Sequence, residues 1–317
     1  MRVIEEAQIK ALYHPQDALE KVKAGFQAFS AGQIQLPPVQ QFFFPEAGGD
    51  CCVKSAWIVG SDSFCVKISS GFYRNPEQGL PSNDGLNLLF SAQNGQPQVL
   101  LNDHGWLTAM RTALAGRIAA ELLLPARVER LAIFGTGLQA ELQLRQLLTL
   151  TACREVIVWG RSEQALTQFR QRLADTDAHL VTTENAQDAA NSASIIVTAT
   201  PSLVPLLQRE WIMPGTHITA VGADAPGKQE LAANILADAH CILVDSLAQC
   251  RQYGELSHVS TPSRDEQTRI EIGALLSDRT QYVRQAGDIT VADLTGLGVQ
   301  DAQISASILA QYEKGAA

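Results

Sequence analysis

The chain has 317 residues, of which 46% are hydrophobic and 18% are charged, and its formal net charge is −9. This length suits two domains of ordinary size, and the composition excludes a disordered chain and a coiled coil. We expect no nucleic-acid partner, because the charge is negative and no run of basic residues provides a local site.

The same totals bear on membranes, metals and thiols. No apolar run approaches the roughly 20 residues that span a bilayer, and the opening residues, MRVIEEAQIK, are too acidic for a secretory signal. We therefore expect no membrane partner and a cytoplasmic location. The six cysteines and six histidines lack metal-ligand spacing, so we expect reduced thiols and no metal site.

The first part of the chain, to about residue 122, has the pattern of an α+β domain. A helical segment at Pro15–Ser30 precedes a turn marked by Pro37 and Pro38. Strand-like stretches follow at residues 51–59, 64–69, 86–91 and 97–101, and turn signals such as NGQP separate the last two. This pattern predicts a largely antiparallel sheet.

The middle of the chain alternates short apolar runs with helical stretches. Five runs between Leu131 and Asp245 have the length of strands: LAIF, EVIVW, SIIVTAT, HITAVG and CILVD. Helical stretches at Leu138–Leu150 and at residues 164–173 lie between them. Such alternation predicts a doubly wound α/β domain with a parallel sheet. A glycine-rich turn, TGLG, and a helix at about residues 300–314 end the chain.

A glycine-rich turn follows the first of these strands and opens a helix. Gly135, Gly137 and Ala140 fit G-x-G-x-x-A, in which the glycines allow a tight turn and the approach of a pyrophosphate. Free N–H groups at the helix N-terminus favour the anion. A plain tight turn is the alternative. The predicted dinucleotide site at this turn comprises Gly135, Thr136, Gly137, Leu138, Gln139 and Ala140.

The end of the second strand favours NADP(H) over NAD(H). An acidic residue there would bind the ribose hydroxyls of NAD, whereas this chain has Gly160, Arg161 and Ser162. An arginine and a hydroxyl suit a 2′-phosphate, to which they make charge-assisted hydrogen bonds. A solvated arginine at a strand end is the alternative for Arg161, and NAD(H) stays the alternative cofactor.

Several linked motifs resemble the ornithine cyclodeaminase/μ-crystallin family. They are VKISSGFYRNP through MRTALAGRIAA, then GTGLQA, VTATPSLVPLL, VGADAPGKQEL, VDSLAQCRQYGEL and TGLGVQDAQ, in the family's order. The resemblance covers nearly the whole chain and implies a Rossmann domain at residues 123–292. It also implies a substrate-binding and dimerisation domain at residues 1–122 with 293–317, and hence a homodimer.

By this resemblance, Lys67 and Arg111 match the family's substrate-binding lysine and arginine, and Asp224 matches its catalytic aspartate. An arginine holds an α-carboxylate with two hydrogen bonds, and a lysine beside a C=N carbon polarises it or donates a proton. A strand lysine, a helix-terminal charge and a turn aspartate are the respective structural alternatives.

The resemblance also places four threonines near the cofactor, and Asp301 at a family position. Capping of the last helix is the alternative role for Asp301. The threonines are Thr112, Thr198, Thr200 and Thr295.

Two departures from the family concern the substrate. Gln40 stands where many members carry an arginine that grips the carboxylate, and Lys54 stands where ornithine cyclodeaminase has a glutamate for the distal amino group. A lysine would repel the second ammonium of ornithine. Lys54 would instead recognise a second carboxylate, replace the lost arginine, or be solvated.

These residues predict an NAD(P)H-dependent reductase of α-imino acids that yields L-amino acids, or the reverse dehydrogenation. Iminosuccinate, linear ketimines and cyclic ketimines are the candidate substrates. An ammonia-lyase that recycles bound NAD is the second hypothesis, and a binding protein without catalysis, like μ-crystallin, is the third.

Overall fold

The protein's structure, a computed structural model, describes residues 1–72, 74–259 and 268–316. It divides into two compact units: residues 1–111 together with the chain from residue 297, and Thr112–Gly296. The first division falls inside a helix, whereas the sequence placed it at residue 122, where that helix ends. A sequence pattern shows where a helix ends, but not where along it the packing partners change.

The first unit is built on a seven-stranded sheet. Its strands are β1 (Arg2–Glu5), β2 (Ile34–Gln35), β3 (Gln40–Phe44), β4 (Gly49–Ile58), β5 (Ser63–Phe72), β6 (Asn83–Ser91) and β7 (Pro97–Asn102). Its helices are α1 (Glu6–Leu12), α2 (Pro15–Ser30), the first turns of α3 (Trp106–Leu122), and α10 (Gly298–Ala316). A short 3-10 helix lies at Asn75–Gln78.

The strand order in this sheet is β1-β7-β6-β5-β4-β2, and β3 also pairs with β4. Only β1 and β7 run parallel among the strand pairs described, so the expectation of a largely antiparallel sheet is confirmed. Side chains alternate between the two faces of a strand, and α10 packs over β4, β5 and β6. The face under α10 therefore contains Lys54, Lys67 and Asn87, which are cross-strand partners.

The second unit is built on an eight-stranded parallel sheet. Its strands are β8 (Leu131–Phe134), β9 (Glu155–Trp159), β10 (His179–Thr183), β11 (Ile195–Thr198), β12 (His217–Ala220), β13 (Cys241–Val244), β14 (Thr268–Glu271) and β15 (Thr290–Asp293). Its helices, besides the rest of α3, are α4 (Leu138–Leu150), α5 (Glu163–Arg172), α6 (Ala186–Ala190), α7 (Ala233–Asp238), α8 (Leu247–Tyr253) and α9 (Ile272–Ser277). Short 3-10 helices lie at Arg209–Trp211, Glu255–His258 and Arg279–Gln281.

The order of this sheet is β10-β9-β8-β11-β12-β15-β13-β14, and every neighbouring pair is parallel. The five predicted strands and the doubly wound α/β class are confirmed. The sequence missed β10, β14 and β15. The last of these is a central strand, but its four residues, TVAD, lie in a tail that the sequence assigned to a turn and a helix.

The central strands are buried on both faces, as a parallel sheet covered by helices requires. Every residue of β8, β11, β12, β13 and β15 is buried. Two apolar clusters pack on the sheet, one containing Leu144 and Phe169, the other Leu231 and Ile235. The carboxyl ends of these strands are thereby fixed, and the loops that follow them carry the candidate cofactor residues.

Among the described helices, none combines the length and the apolar character that spanning a bilayer requires.

Candidate active site

The glycine-rich turn between β8 and α4 requires glycine at its first position. Gly135 has φ +121°, and a Cβ there would lie 2.7 Å from the carbonyl oxygen of Ala199. Nothing lies within 4 Å of a Cβ placed on Gly137, which is the N-cap of α4 and makes no side-chain cap bond. The turn therefore leaves open space and free backbone donors where a phosphate would bind.

Arg172, which no sequence motif marks, holds this turn in place. The Nη2 atom of Arg172 donates to the carbonyl of Thr136 at 2.6 Å, and its Nε donates to Glu141 Oε2 at 2.9 Å. Arg172 thus ties the turn to the first helical turn of α4. No spacing rule links it to the glycine motif, so only the fold shows this contact.

A pocket of about 290 Å³ opens at this turn. It is lined by Gly135, Thr136, Gly137, Trp159, Gly160, Arg161, Ala199, Thr200, Pro201, Ser202 and Leu206. The structure thus brings together five of the predicted cofactor residues, which come from the ends of three neighbouring strands. No acidic residue is among these lining residues, and the exposed Arg161 is the cation among them. This donor set fits a dinucleotide, including one with a 2′-phosphate.

The other predicted cofactor residues lie outside that lining. Leu138 is exposed, Ala140 is buried against the sheet, and Ser162 caps α5 by accepting the Ala165 N–H at 3.3 Å. Gln139 follows them in the first turn of α4. The hydroxyl of Thr198 points instead to Glu230 Oε2, at 2.8 Å.

Thr112 and Thr295 are held by polar contacts within the second unit. The carbonyl of Thr112 accepts from Gln143 Nε2 at 3.1 Å. The hydroxyl of Thr295 donates to Asp245 Oδ1 at 2.9 Å and accepts from Gln249 Nε2 at 2.9 Å. Roles for both threonines at the cofactor stay predictions.

Asp224 lies in the loop after β12, at the carboxyl edge of the parallel sheet. Its side chain is 52% exposed, and Oδ1 accepts from Lys228 Nζ at 2.7 Å. The carboxylate is therefore accessible for proton exchange, and a neighbouring cation holds it. Its catalytic role stays a prediction.

The first unit contains a buried cluster of charged side chains. The Nζ of Lys67 lies 3.3 Å from Asp301 Oδ2, and the Nε of Arg111 lies 3.0 Å from Asp301 Oδ1. Arg111 Nη1 also donates to Gln300 Oε1 at 2.8 Å. Lys67, Arg111 and Asp301 are each less than 7% exposed. The structure thus brings together both predicted carboxylate-binding residues.

Asp301 is the anion of this cluster, which the sequence left open between a family position and a helix cap. Burial would raise its pKa, but Lys67, Arg111 and Lys54 outweigh burial and lower the pKa of Asp301. The signal in the sequence was an acid shortly after the TGLG turn, at the start of an apolar helix. That position becomes informative only when α10 is known to pack on β4 and β5.

Lys54 is the third cation of the cluster and lies directly opposite Lys67 in the β4–β5 pair. Burial, and then the charges of Lys67 and Arg111, lower the pKa of Lys54 to about 8. Gln40, in contrast, pairs with Val53, one residue out of phase with Lys54, and is exposed. Strand alternation therefore places Gln40 on the face of the sheet opposite Lys54. This register does not support a role for Gln40 at the substrate, and that role stays a prediction.

Asp103 and Asn87 support the start of α3, which carries Arg111. Asp103 Oδ2 accepts the Leu107 N–H at 2.7 Å, and Oδ1 accepts from Asn87 Nδ2 at 3.3 Å. Burial raises the pKa of Asp103 to about 6. These bonds fix the first turn of α3, so the position of Arg111 is set by both the helix and the sheet.

No group of three or more histidine, cysteine, aspartate or glutamate side chains in the described part of the chain has the arrangement of a metal site.

Comparisons with known proteins point to one family and several activities. An uncharacterized cyclodeaminase of Sinorhizobium fredii is 36% identical over 325 residues, covering 100% of this chain and 97% of the relative. The alanine dehydrogenase of Archaeoglobus fulgidus is 30% identical over 305 residues, covering 96% and 92%. The iminosuccinate reductase of Paracoccus denitrificans is 28% identical over 313 residues, covering 98% and 96%.

The fold is also similar to that of a solved structure. The solved structure of an archaeal alanine dehydrogenase dimer with bound NAD matches with a TM-score of 0.90 and 29% identity, covering 100% of this chain and 97% of that chain. The family thus includes imino-acid reductases, an alanine dehydrogenase and cyclodeaminases. The profile of the ornithine cyclodeaminase/mu-crystallin family matches residues 1–315, and the chain belongs to that family.

Proposed function

We propose that the protein is an NAD(P)H-dependent reductase of α-imino acids that yields L-amino acids, or that it catalyses the reverse dehydrogenation. The observation that carries the proposal is the cluster of Lys54, Lys67 and Arg111 around one carboxylate, Asp301. Three cations against one anion favour an anionic ligand, and a carboxylate matches the fork of Arg111.

The pocket at the glycine turn supports the cofactor half of the proposal. Gly135, Thr136 and Gly137 would hold the pyrophosphate, and Arg161 would bind the 2′-phosphate of NADP(H), which we favour over NAD(H). When bound, the nicotinamide supplies or accepts the hydride. The residues of the chain supply binding, orientation and protons.

The substrate half assigns a role to each charged group. Arg111 holds the α-carboxylate, and Lys67 polarises the C=N bond and donates or takes a proton, with Asp224 as the second proton-exchanging group. Lys54 either binds a second carboxylate or replaces the arginine absent at Gln40. Iminosuccinate and linear or cyclic ketimines remain the substrate candidates, and relatives named for alanine and iminosuccinate fit one and two carboxylates respectively.

A lyase that releases ammonia with recycled cofactor is the second candidate, which the relative named a cyclodeaminase favours. Lys54 argues against it for diamino acids. A second ammonium group brought beside three cations would be repelled, because the cluster already carries excess positive charge. A binding protein without catalysis is the third candidate, and it gives the proton exchange assigned to Lys67 and Asp224 no role.

The test is the oxidation of NADPH, and in parallel of NADH, with a panel of imino acids. The panel contains oxaloacetate with ammonia, pyruvate with ammonia or methylamine, and the two cyclic imines of five and six ring atoms. Turnover with any member establishes the reductase. Release of ammonia from ornithine or another amino acid, with no oxidation of cofactor by the panel, establishes the lyase instead.

We further propose a homodimer formed through the sheet face that α10 does not cover. That face carries aromatic and aliphatic side chains, and Phe42 and Ile68 are 54% and 37% exposed. Apolar exposure over a whole sheet face is typical of an interface. Leu88→Glu, in the middle of this face, should convert the dimer to a monomer in analytical ultracentrifugation. Val181→Glu, at an exposed apolar site of the other sheet, should leave the dimer intact.

A further inference from the structure

Glu230 is a fully buried glutamate whose carboxylate accepts four hydrogen bonds. Its Oε1 accepts the backbone N–H and the hydroxyl of Thr200, both at 2.7 Å. Its Oε2 accepts the hydroxyl of Thr198 and the backbone N–H of Gly222, both at 2.8 Å. Both oxygens therefore accept from residues at the carboxyl ends of two neighbouring strands: Thr198 ends β11, Thr200 follows it, and Gly222 follows β12.

Two of these donors, Thr200 and Gly222, belong to loops that have a role in the proposed reaction. Thr200 lines the pocket at the glycine turn, and Gly222 lies two residues before Asp224 in the loop after β12. The carbonyl of Glu230 also accepts from the N–H groups of Leu206 and Leu207, at 2.6 and 3.1 Å. Leu206 is a further lining residue of the pocket. One residue thus fixes the pocket wall at both of its ends.

Glu230 is itself held by a second buried acid. Glu255 Oε1 accepts the N–H of Glu230 at 2.7 Å, and Oε2 accepts the N–H of Leu231 at 3.1 Å. Asp293, the last residue of β15, in turn accepts the N–H groups of Glu255 and Leu256, at 3.1 and 2.9 Å. The pocket wall is therefore connected through two glutamates to the centre of the sheet.

We propose that Glu230 is the positioning residue that sets the cofactor loop at residues 199–206 and the loop of Asp224 in one fixed arrangement. The inference rests on the proposed function, because it assumes that the pocket binds the dinucleotide and that Asp224 exchanges a proton. Glu230 does not line the pocket. It acts through Thr200 and Gly222, and both loops shift when its carboxylate is lost.

The chemistry of the site requires a carboxylate rather than an amide. Each oxygen faces one backbone N–H and one hydroxyl. A glutamine would turn its NH₂ group toward one such pair, where the hydroxyl can rotate to accept but the backbone N–H is left unpaired. Glu230→Gln should therefore weaken binding of NADPH roughly 10- to 100-fold, which corresponds to the loss of buried hydrogen bonds. It should also lower kcat at saturating cofactor, because the loop of Asp224 moves with the pocket wall.

The test combines hydrogen exchange with cofactor titration on the full chain at a temperature where circular dichroism shows each variant folded. In Glu230→Gln, peptides covering residues 199–206 and 222–226 should exchange faster, and peptides of the glycine turn should not. Quenching of tryptophan fluorescence, with Trp159 in the pocket, gives the dissociation constant of NADPH. Glu210→Gln, at an exposed glutamate of the same unit, is the matched control.

A second pair of variants covers the case in which Glu230→Gln does not fold. Thr198 is fully buried and outside the pocket lining, so Thr198→Val removes one donor to Glu230 without touching the ligand space. Thr198→Val should weaken NADPH binding about fivefold and Thr198→Ser, which keeps the hydroxyl, should restore it.

The outcomes separate the two proposals. Unchanged exchange of both loops in Glu230→Gln, or equal affinities of the valine and serine variants, overturns the positioning role. If the wild-type protein binds neither NADPH nor NADH, the proposed function fails, and hydrogen exchange alone still decides whether Glu230 fixes the two loops.

Discussion

The two units of the chain bury ionisable groups of opposite kinds. In the first unit, Lys67 and Arg111 are buried around one carboxylate, Asp301, and Lys54 adds a third cation. In the second unit, buried acids dominate, and backbone N–H groups and hydroxyls donate to them.

The proposed function interprets this difference as that between a ligand site in the first unit and a structural network in the second. Burial raises the pKa of Glu230 and Asp293 to about 7 and that of Glu255 to about 9. A perturbed pKa alone would mark these acids as catalytic candidates. Their oxygens already accept backbone donors, however, whereas the cations of the first unit exceed the anions near them. Under the proposed function, the excess positive charge, and not a perturbed pKa, is the feature that points to a ligand site.

The largest effect is expected when the exposed carboxylate of Asp224, in the loop after β12, is removed. Asp224→Asn should lower kcat by about 10²- to 10⁴-fold, because a proton-exchanging group is lost while the loop keeps its shape. The dissociation constant of NADPH should stay within about threefold. Steady-state kinetics and fluorescence titration measure the two effects, with Asp188→Asn, at an exposed aspartate, as control. Unchanged kcat would remove Asp224 from the mechanism.

The next largest effect concerns Asp301, the carboxylate that Lys67 and Arg111 contact. Asp301→Asn should destabilise the protein by about 3–5 kcal/mol, because Lys67 and Arg111 would be left as buried charges without an anion. Urea unfolding followed by tryptophan fluorescence, to which Trp57 and Trp106 of the first unit contribute, measures the change. Asp62→Asn, an exposed aspartate of the same unit, should change stability by less than about 0.5 kcal/mol. A change of less than about 1 kcal/mol in Asp301→Asn would show that the cluster is not balanced by this residue.

A smaller effect is expected at the cofactor phosphate. Arg161→Gln should raise the dissociation constant of NADPH roughly 10- to 100-fold, because hydrogen bonds between charged groups contribute about 1.5–3 kcal/mol. The dissociation constant of NADH should stay within about threefold. Arg170→Gln, on the exposed side of α5, is the matched control. An equal loss of affinity for NADPH and NADH would show that Arg161 contacts the pyrophosphate or supports folding, and does not recognise the 2′-phosphate.

The smallest effect is a pH dependence that sharpens the role of Lys54. Its pKa of about 8 means that the charged amine is lost as the pH rises from 7 to 9, so any binding that needs this cation falls over that range. The groups that face Lys54 are Cys52, Lys67, Arg111 and Asp301. If Lys54 binds a second carboxylate, the preference for succinate over butyrate should fall about tenfold between these pH values.

Calorimetric titration of both acids measures that preference, and Lys54→Met should show no such pH dependence. Lys314→Met, an exposed lysine of α10, should behave as the wild type. If the affinities for succinate and butyrate fall equally as the pH rises, Lys54 binds the α-carboxylate instead, in place of the arginine absent at residue 40.

The sequence predicted the parts of the fold that have strong periodic or glycine signals. Helices α2 and α4 have the predicted bounds, and the five predicted strands of the parallel sheet are present. The sequence predicted Gly135, Gly137 and Arg161 of the pocket lining, because the glycine spacing and the end of the second strand are local features. Local chemistry of this kind can be read from one stretch of chain.

The roles that the sequence could not assign depend on contacts between residues distant in the chain. Asp301 meets Lys67 only because α10 packs on the sheet, more than 200 residues from β5 in the sequence. Glu230 lies within a quoted family motif, but its role depends on donors from two strand ends. The position of Gln40 follows from strand register, which a one-residue shift inverts.

The central claim is a net hydride transfer between a nicotinamide and an imino acid, and a label on the cofactor tests it most directly. NADPH deuterated at the transferring position of C4 is incubated with the protein and an imine from the panel, and the product is analysed by mass spectrometry. The proposal predicts one deuterium at the α-carbon of the amino acid and one oxidised cofactor for each product formed. An amino acid substrate that loses ammonia, with no net oxidation of cofactor and no deuterium in any imine-derived product, would contradict it.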